Sequence, residues 1–172
     1  VLVLAMSMLI LGLVLVRTIF STAQSSIKGI DKGVKNAIAD MFADESKKLA
    51  IYPDDRKIYI KQGVQGEGFA FSIRNKDVQD AKYTYTIEAD PDNNFKVCNI
   101  NKRTADDYML IKSGTITVPS SQIMENPELV TFNIPESANV CQIKYRITVK
   151  YSSTGGSGVY VTDSIWVNIQ PK

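Results

Sequence analysis

"VCQIKYRITVKY" (Val140 to Tyr151) alternates with a period of two. Cys141, Ile143, Tyr145, Ile147, Val149 and Tyr151 fall on one side; Gln142, Lys144, Arg146, Thr148 and Lys150 fall on the other. Successive side chains of an extended chain point to opposite faces, so this pattern predicts a half-buried antiparallel strand. "SSTGGSG" (152–158) follows and reads as a flexible hairpin loop. "VYVTDSIWVNIQ" (159–170) then returns with Val159, Val161, Ile165, Val167 and Ile169 in phase. Asp163 interrupts that series and predicts a bulge or an edge position.

Working back along the chain, six more segments are short, β-branched or aromatic, and bounded by turn residues: "KIYIKQ" (57–62), "GFAFSIRN" (68–75), "KYTYTIEA" (82–89), "FKVCNI" (95–100), "GTITVP" (114–119) and "ELVTFNIP" (128–135). Eight candidate strands with no helix between them predict an antiparallel β-sandwich over residues 53–172.

The other end is written differently. "VLVLAMSMLILGLVLVRTIF" (1–20) carries no charge before Arg17. At about 1.5 Å per residue, an uncharged run of this length makes a helix of roughly 24 Å, a marginal membrane span. Ser21-Thr22-Ala23 suits a signal-peptidase site, but no basic region precedes the apolar run. The expectation is therefore a segment retained in the mature chain, exposed by removal of a leader before Val1. Ile27, Ile30, Val34, Ala37 and Met41 continue at helical spacing, and no proline intervenes before Pro53. One helix over residues 1 to about 50 is predicted, about 75 Å long. The fold class expected is α+β: a long N-terminal helix (1–52) followed by an antiparallel, immunoglobulin-like β-sandwich (53–172).

Composition narrows the chemistry. Net charge is +2, from 20 basic and 18 acidic residues in 172, which gives no electrostatic case for nucleic acid. There is no histidine and there are only two cysteines, so no Ser-His-Asp triad, Cys-His nucleophile or His-bearing zinc site can be assembled. No enzyme activity, cofactor or metal is expected. "DPDNN" (90–94) opens like a calcium loop but places Phe95 where glycine belongs, and reads as an Asx/Pro turn. Asp106 and Asp107 are adjacent carboxylates in a polar stretch, with nothing to split their protonation. Gly63, Gly66 and Gly68 suggest a hairpin connection. Cys98 and Cys141 lie on two of the expected strands. A disulfide suits export to an oxidising compartment and would contribute about 4 kcal/mol by loop closure; two buried thiols are the alternative.

The apolar opening, continuous helix and β-sandwich together resemble the type IV pilin superfamily, particularly archaeal type IV pilins and archaellins. Val1 and Ala5 stand where bacterial pilins usually carry Phe and Glu. The resemblance implies a precursor transiently inserted in the cytoplasmic membrane. It would then be a structural subunit of an extracellular cell-surface filament used for adhesion or motility, a homopolymer with surface or cell receptors as further partners. Leu2, Leu4, Met6, Leu9, Leu11, Leu13, Val14, Val16, Phe20, Ile27, Ile30 and Val34 would form the filament core. The second reading is a single-pass membrane-anchored surface protein with an immunoglobulin-like binding domain, its helix ending after Phe20 and residues 21–50 forming a stalk.

Overall fold

Residues 31–152 and 158–172 are described by a computed structural model. They form α1 (Lys32–Met41), β1 (Leu49–Tyr52), β2 (Lys57–Lys61), β3 (Gln65–Ile73), β4 (Ala81–Ala89), α2 (Phe95–Cys98), α3 (Lys102–Asp107), β5 (Ser113–Val118), β6 (Glu128–Asn133), β7 (Gln142–Tyr151) and β8 (Val159–Gln170). The strands make two sheets, a three-stranded one ordered β1-β3-β6 and a five-stranded one ordered β2-β8-β7-β4-β5. Alternation dictates the burial of the larger sheet: Ile143, Tyr145, Ile147 and Val149 of β7 face inward, as do Tyr83, Tyr85 and Ile87 of β4. They meet Phe69, Phe71 and Ile73 of β3 and Val130 and Phe132 of β6. Rings interlock between the layers, Phe71 on Tyr85 at 5.0 Å and Phe132 on Tyr145 at 5.1 Å between centroids.

In the smaller sheet β6 alternates, with Val130 and Phe132 buried, but β1 and the second half of β3 do not. Leu49 to Ile51 and Phe69 to Ile73 are buried without interruption. A continuous run means cover on both faces, and α1 supplies it by packing on β1 and β3 with Ile38 and Phe42 buried.

Several expectations are corrected here. The helix does not reach Ala50: α1 stops at Met41. Asp44 competes for the backbone beyond it, its Oδ1 accepting from the Ser46 amide (2.9 Å) and hydroxyl (2.7 Å). The sandwich then begins at Leu49, inside the segment assigned to the helix. Residues 1–30, including every expected filament-core position except Val34, lie outside the described residues; Val34 is half-buried on α1. "FKVCNI" is no strand but the turn of helix α2, closed by Asn99 at φ 52°. Gly63, at φ 78°, lies in the connection that carries the chain from β2 in one sheet to β3 in the other instead of closing a hairpin, and Gly66 and Gly68 lie within β3. Gly68 is there for space, since a Cβ would lie 1.8 Å from the Val130 carbonyl oxygen. The sandwich is not wholly antiparallel either, because β2 runs parallel to β8. A register shift at Val149/Lys150 puts Tyr160 in the core and leaves Val159 60 % exposed. Asp163 lies on the part of β8 that β2 does not flank, and accepts from Arg56 Nη1 at 2.7 Å.

Candidate functional site

The outer face of the five-stranded sheet collects what the alternating strands reject from the core. β2 contributes Lys57, Tyr59 and Lys61, all exposed. β8 contributes Thr162, Ser164, Trp166 and Asn168; β7 contributes Gln142, Lys144, Arg146, Thr148 and Lys150. β4 adds Lys82, Thr84, Thr86 and Glu88. Pairing fixes who neighbours whom. Lys57 lies beside Trp166, and Trp166 beside Lys144; Tyr59 lies beside Asn168, and Asn168 beside Gln142. The Lys144 ammonium sits 5.8 Å from the centroid of the Trp166 ring, within cation–π reach. Tyr59 is 56 % exposed. The amides beside it are fixed: Asn168 Nδ2 donates to the Ile58 carbonyl (3.2 Å), and Gln142 Nε2 donates to Asn168 Oδ1 (2.8 Å).

Six cations therefore share a face with one carboxylate. Glu88 is engaged by Lys102 Nζ at 2.8 Å and holds that ammonium above its usual pKa. Lys144 and Arg146 lean over the end of the sheet to Asp90, at 3.4 and 2.8 Å. Lys57, Lys61, Lys82 and Lys150 have no ion-pair partner among the described residues. Adjacent strands are about 4.8 Å apart and alternate residues about 7 Å apart. Lys144 and Arg146 are alternate residues and fall inside the ~8 Å screening length at physiological salt. Lys57 and Lys61 are four residues apart, about 13 Å, with cation-free β8 between them and β7, and Lys82 and Lys150 stand toward the opposite end of β7. Such a face can orient and hold an anionic partner, with Trp166 and Tyr59 as flat contact surfaces.

Proton-transfer chemistry finds less. Asp106 and Asp107 lie on α3, each with its own partners: Asp106 accepts from the Ala89 amide (2.6 Å) and Lys102 (3.0 Å), and Asp107 accepts from Lys112 (2.7 Å). Lys112 holds the Asp107 carboxyl below the usual range. Among the described residues no group of three or more Asp, Glu, Cys or His converges as for a metal. The cysteines do meet: Cys98 on α2 is bonded to Cys141, just ahead of β7, with Cα atoms 5.4 Å apart. The cations of β7 are visible in the sequence as the polar half of an alternating strand. Their union with Lys57 and Lys61 is not, since it follows from a parallel pairing spanning over a hundred residues.

No protein-family model matches the chain, and no curated protein does. Solved structures do. SSP-19, an MSP-domain-like protein of Caenorhabditis elegans, is 10 % identical with a TM-score of 0.39, over 72 % of this chain and 99 % of that one. The PapD-like domain 7 of human CEP192 is 14 % identical with a TM-score of 0.43, over 73 % and 85 %. The E. coli chaperone DraB is 8 % identical with a TM-score of 0.42, over 72 % of this chain and 54 % of its own. Likeness of this degree concerns architecture alone. Among the described residues no helix is long and apolar enough to cross a membrane. The resemblance to type IV pilins and archaellins is overturned: the structural neighbours are MSP-domain and PapD-like sandwiches, and among the described residues the helix runs only from Lys32 to Met41, so a helix continuous to Ala50 and a homopolymer built on it are not supported.

Proposed function

We propose that this chain is a non-enzymatic binding module of the immunoglobulin-like class that works on the oxidising side of a membrane and engages an acidic partner through its five-stranded sheet. The observation that carries this reading is the charge of the outer face, where Lys57, Lys61, Lys82 and Lys150 have no ion-pair partner among the described residues while Lys144, Arg146 and Glu88 are already engaged. The Cys98–Cys141 bond supports the compartment, because thiols in reducing cytosol stay reduced. The absence of histidine supports a binding role over a catalytic one.

The test uses immobilised heparin as a polyanion probe. The protein is retained, and Lys57→Glu, Lys61→Glu and Lys150→Glu together lower the eluting salt concentration markedly. These side chains are exposed and have no ion-pair partner among the described residues, so the unfolding free energy stays within about 0.5 kcal/mol of the parent. Elution of the parent without retention, or of the triple variant at the parent's position, refutes the reading.

A further inference from the structure

The two outer strands of the larger sheet are finished differently. β2 carries Lys57 and Lys61, charges that discourage another strand from docking. β5, "SGTITV", carries no charge and no proline. In the smaller sheet, β6 is covered on its outer side: Leu110 N–H donates to the Thr131 carbonyl (3.0 Å) and Asn133 N–H to the Tyr108 carbonyl (2.8 Å). β1 is four residues long. Nothing of the kind covers β5 among the described residues.

Which backbone groups β5 leaves free follows from the ladder. Ile87 N–H donates to the Lys112 carbonyl at 2.7 Å, which makes Ile87–Lys112 a bonded pair. Antiparallel pairs alternate between bonded and non-bonded. With Tyr85 opposite Gly114 and Tyr83 opposite Ile116, the groups of Gly114, Ile116 and Val118 point at β4. The N–H and C=O groups of Ser113, Thr115 and Thr117 therefore point away from it. Thr115 and Thr117 border a groove of about 410 Å³ whose opposite wall is formed by residues between Gln122 and Glu128. Ile116, Ile123 and Met124 give it an apolar lining. Glu125 and Glu128 stand at the groove without an ion-pair partner among the described residues, although Tyr85 Oη donates to Glu128 Oε1 at 3.0 Å. The cation seen nearby is Lys35, which is 2.9 Å from Asn126 Oδ1.

We propose that β5 accepts an extended peptide segment of a partner protein as a sixth strand. Alternate apolar residues of that segment enter the groove and its Lys or Arg residues meet Glu125 and Glu128. Backbone pairing supplies affinity without sequence choice; the groove and the two carboxylates supply the choice. This surface is separate from the basic face and stands or falls without it.

The probe is a short synthetic peptide of alternating valine and lysine, blocked at both ends, added to the full chain. Hydrogen exchange slows at Thr115 and Thr117, whose amides are open in the free protein. A twin peptide N-methylated at alternate amides on its pairing edge gives no protection. Glu125→Lys with Glu128→Lys weakens binding roughly tenfold. Thr115→Pro abolishes it while leaving the β4 ladder in place, because the Thr115 N–H is not used there. Protection confined to β2, equal binding of the N-methylated twin, or no protection of β5 at millimolar peptide overturns the proposal. The N-methylated twin decides the matter even where a protein variant misfolds, since the change is in the ligand.

Discussion

Asp90 is a carboxylate with 1 % of its surface exposed that remains charged in the fold. Burial pushes its pKa up, but the Asp92 amide, Arg146 and Lys144 outweigh that and hold it below the usual value. The donors lie at 3.0, 2.8 and 3.4 Å respectively. Replacing the charge while keeping the shape removes the only carboxylate near Lys144 among the described residues and leaves Arg146 with the exposed Asp92 at 3.7 Å, so Asp90→Asn is expected to cost about 2 kcal/mol in urea unfolding at neutral pH. The folded pKa lies below the unfolded one, so the native state binds fewer protons and this stabilisation rises with pH. It is complete above about pH 4, the unfolded value, and fades as pH falls through the native one. The difference between wild type and Asp90→Asn therefore shrinks in acid; a constant difference down to the acid transition rules the mechanism out. The turn was legible, since "DPDNN" forms the Asx turn its residue types predict. The partner was not, because Arg146 lies 56 residues away and reaches Asp90 only once β7 pairs with β4.

At the level of elements, the strands with long alternation were readable and the short connections were not. β4, β7 and β8 run nine to twelve residues, enough for period two to separate from period 3.6. "FKVCNI" has only two alternations, and its turn of helix buries Cys98 while leaving Val97 67 % exposed, which mimics a strand's two faces. The better signal was Asn101, an N-cap whose Oδ1 accepts from the Thr104 amide at 2.9 Å. That cap belongs to α3, and α3 carries Lys102 and Asp106 toward β4. The disulfide ties α2 to the entry of β7 across a separation of 43 residues. Opening a loop of that length restores denatured-state entropy worth about 4 kcal/mol at most. Cys98→Ala with Cys141→Ala should lower the unfolding free energy by up to that amount, and the denaturation midpoint with it, while leaving a folded sandwich. An unchanged midpoint in oxidised wild type and double variant would show that the bond does no structural work.

For the molecule as a whole, alternation in single strands reveals a sandwich but not which sheet each strand joins. That choice depends on the parallel β2–β8 pairing and on the crossing between β2 and β3 at residues 62–64, neither of which leaves a local pattern. The same limit misplaced the domain boundary. With no proline before Pro53 the helix was drawn through Leu49 and Ala50, yet the uninterrupted apolar run of Leu49, Ala50 and Ile51 fits a strand buried on both faces. Residues 53–172, the sandwich as drawn from the sequence, would lack β1, α1 and the buried side chains of Ile38, Phe42, Leu49 and Ile51. Each such side chain contributes about 1.5–3 kcal/mol by burial. Their sum is comparable to the whole stability of a domain this size, roughly 5–15 kcal/mol. Arg74 strengthens the attachment: its guanidinium donates to the Phe42 and Asp44 carbonyls and lies 5.0 Å from the Phe42 ring centroid. A fragment of residues 32–172 should accordingly unfold in one cooperative transition, whereas 53–172 should show no native-like near-ultraviolet circular dichroism. Phe42→Ala in the longer fragment should cost about 3 kcal/mol. Cooperative unfolding of 53–172 with the same midpoint as 32–172 would mean that α1 and β1 are appended to a sandwich already complete without them.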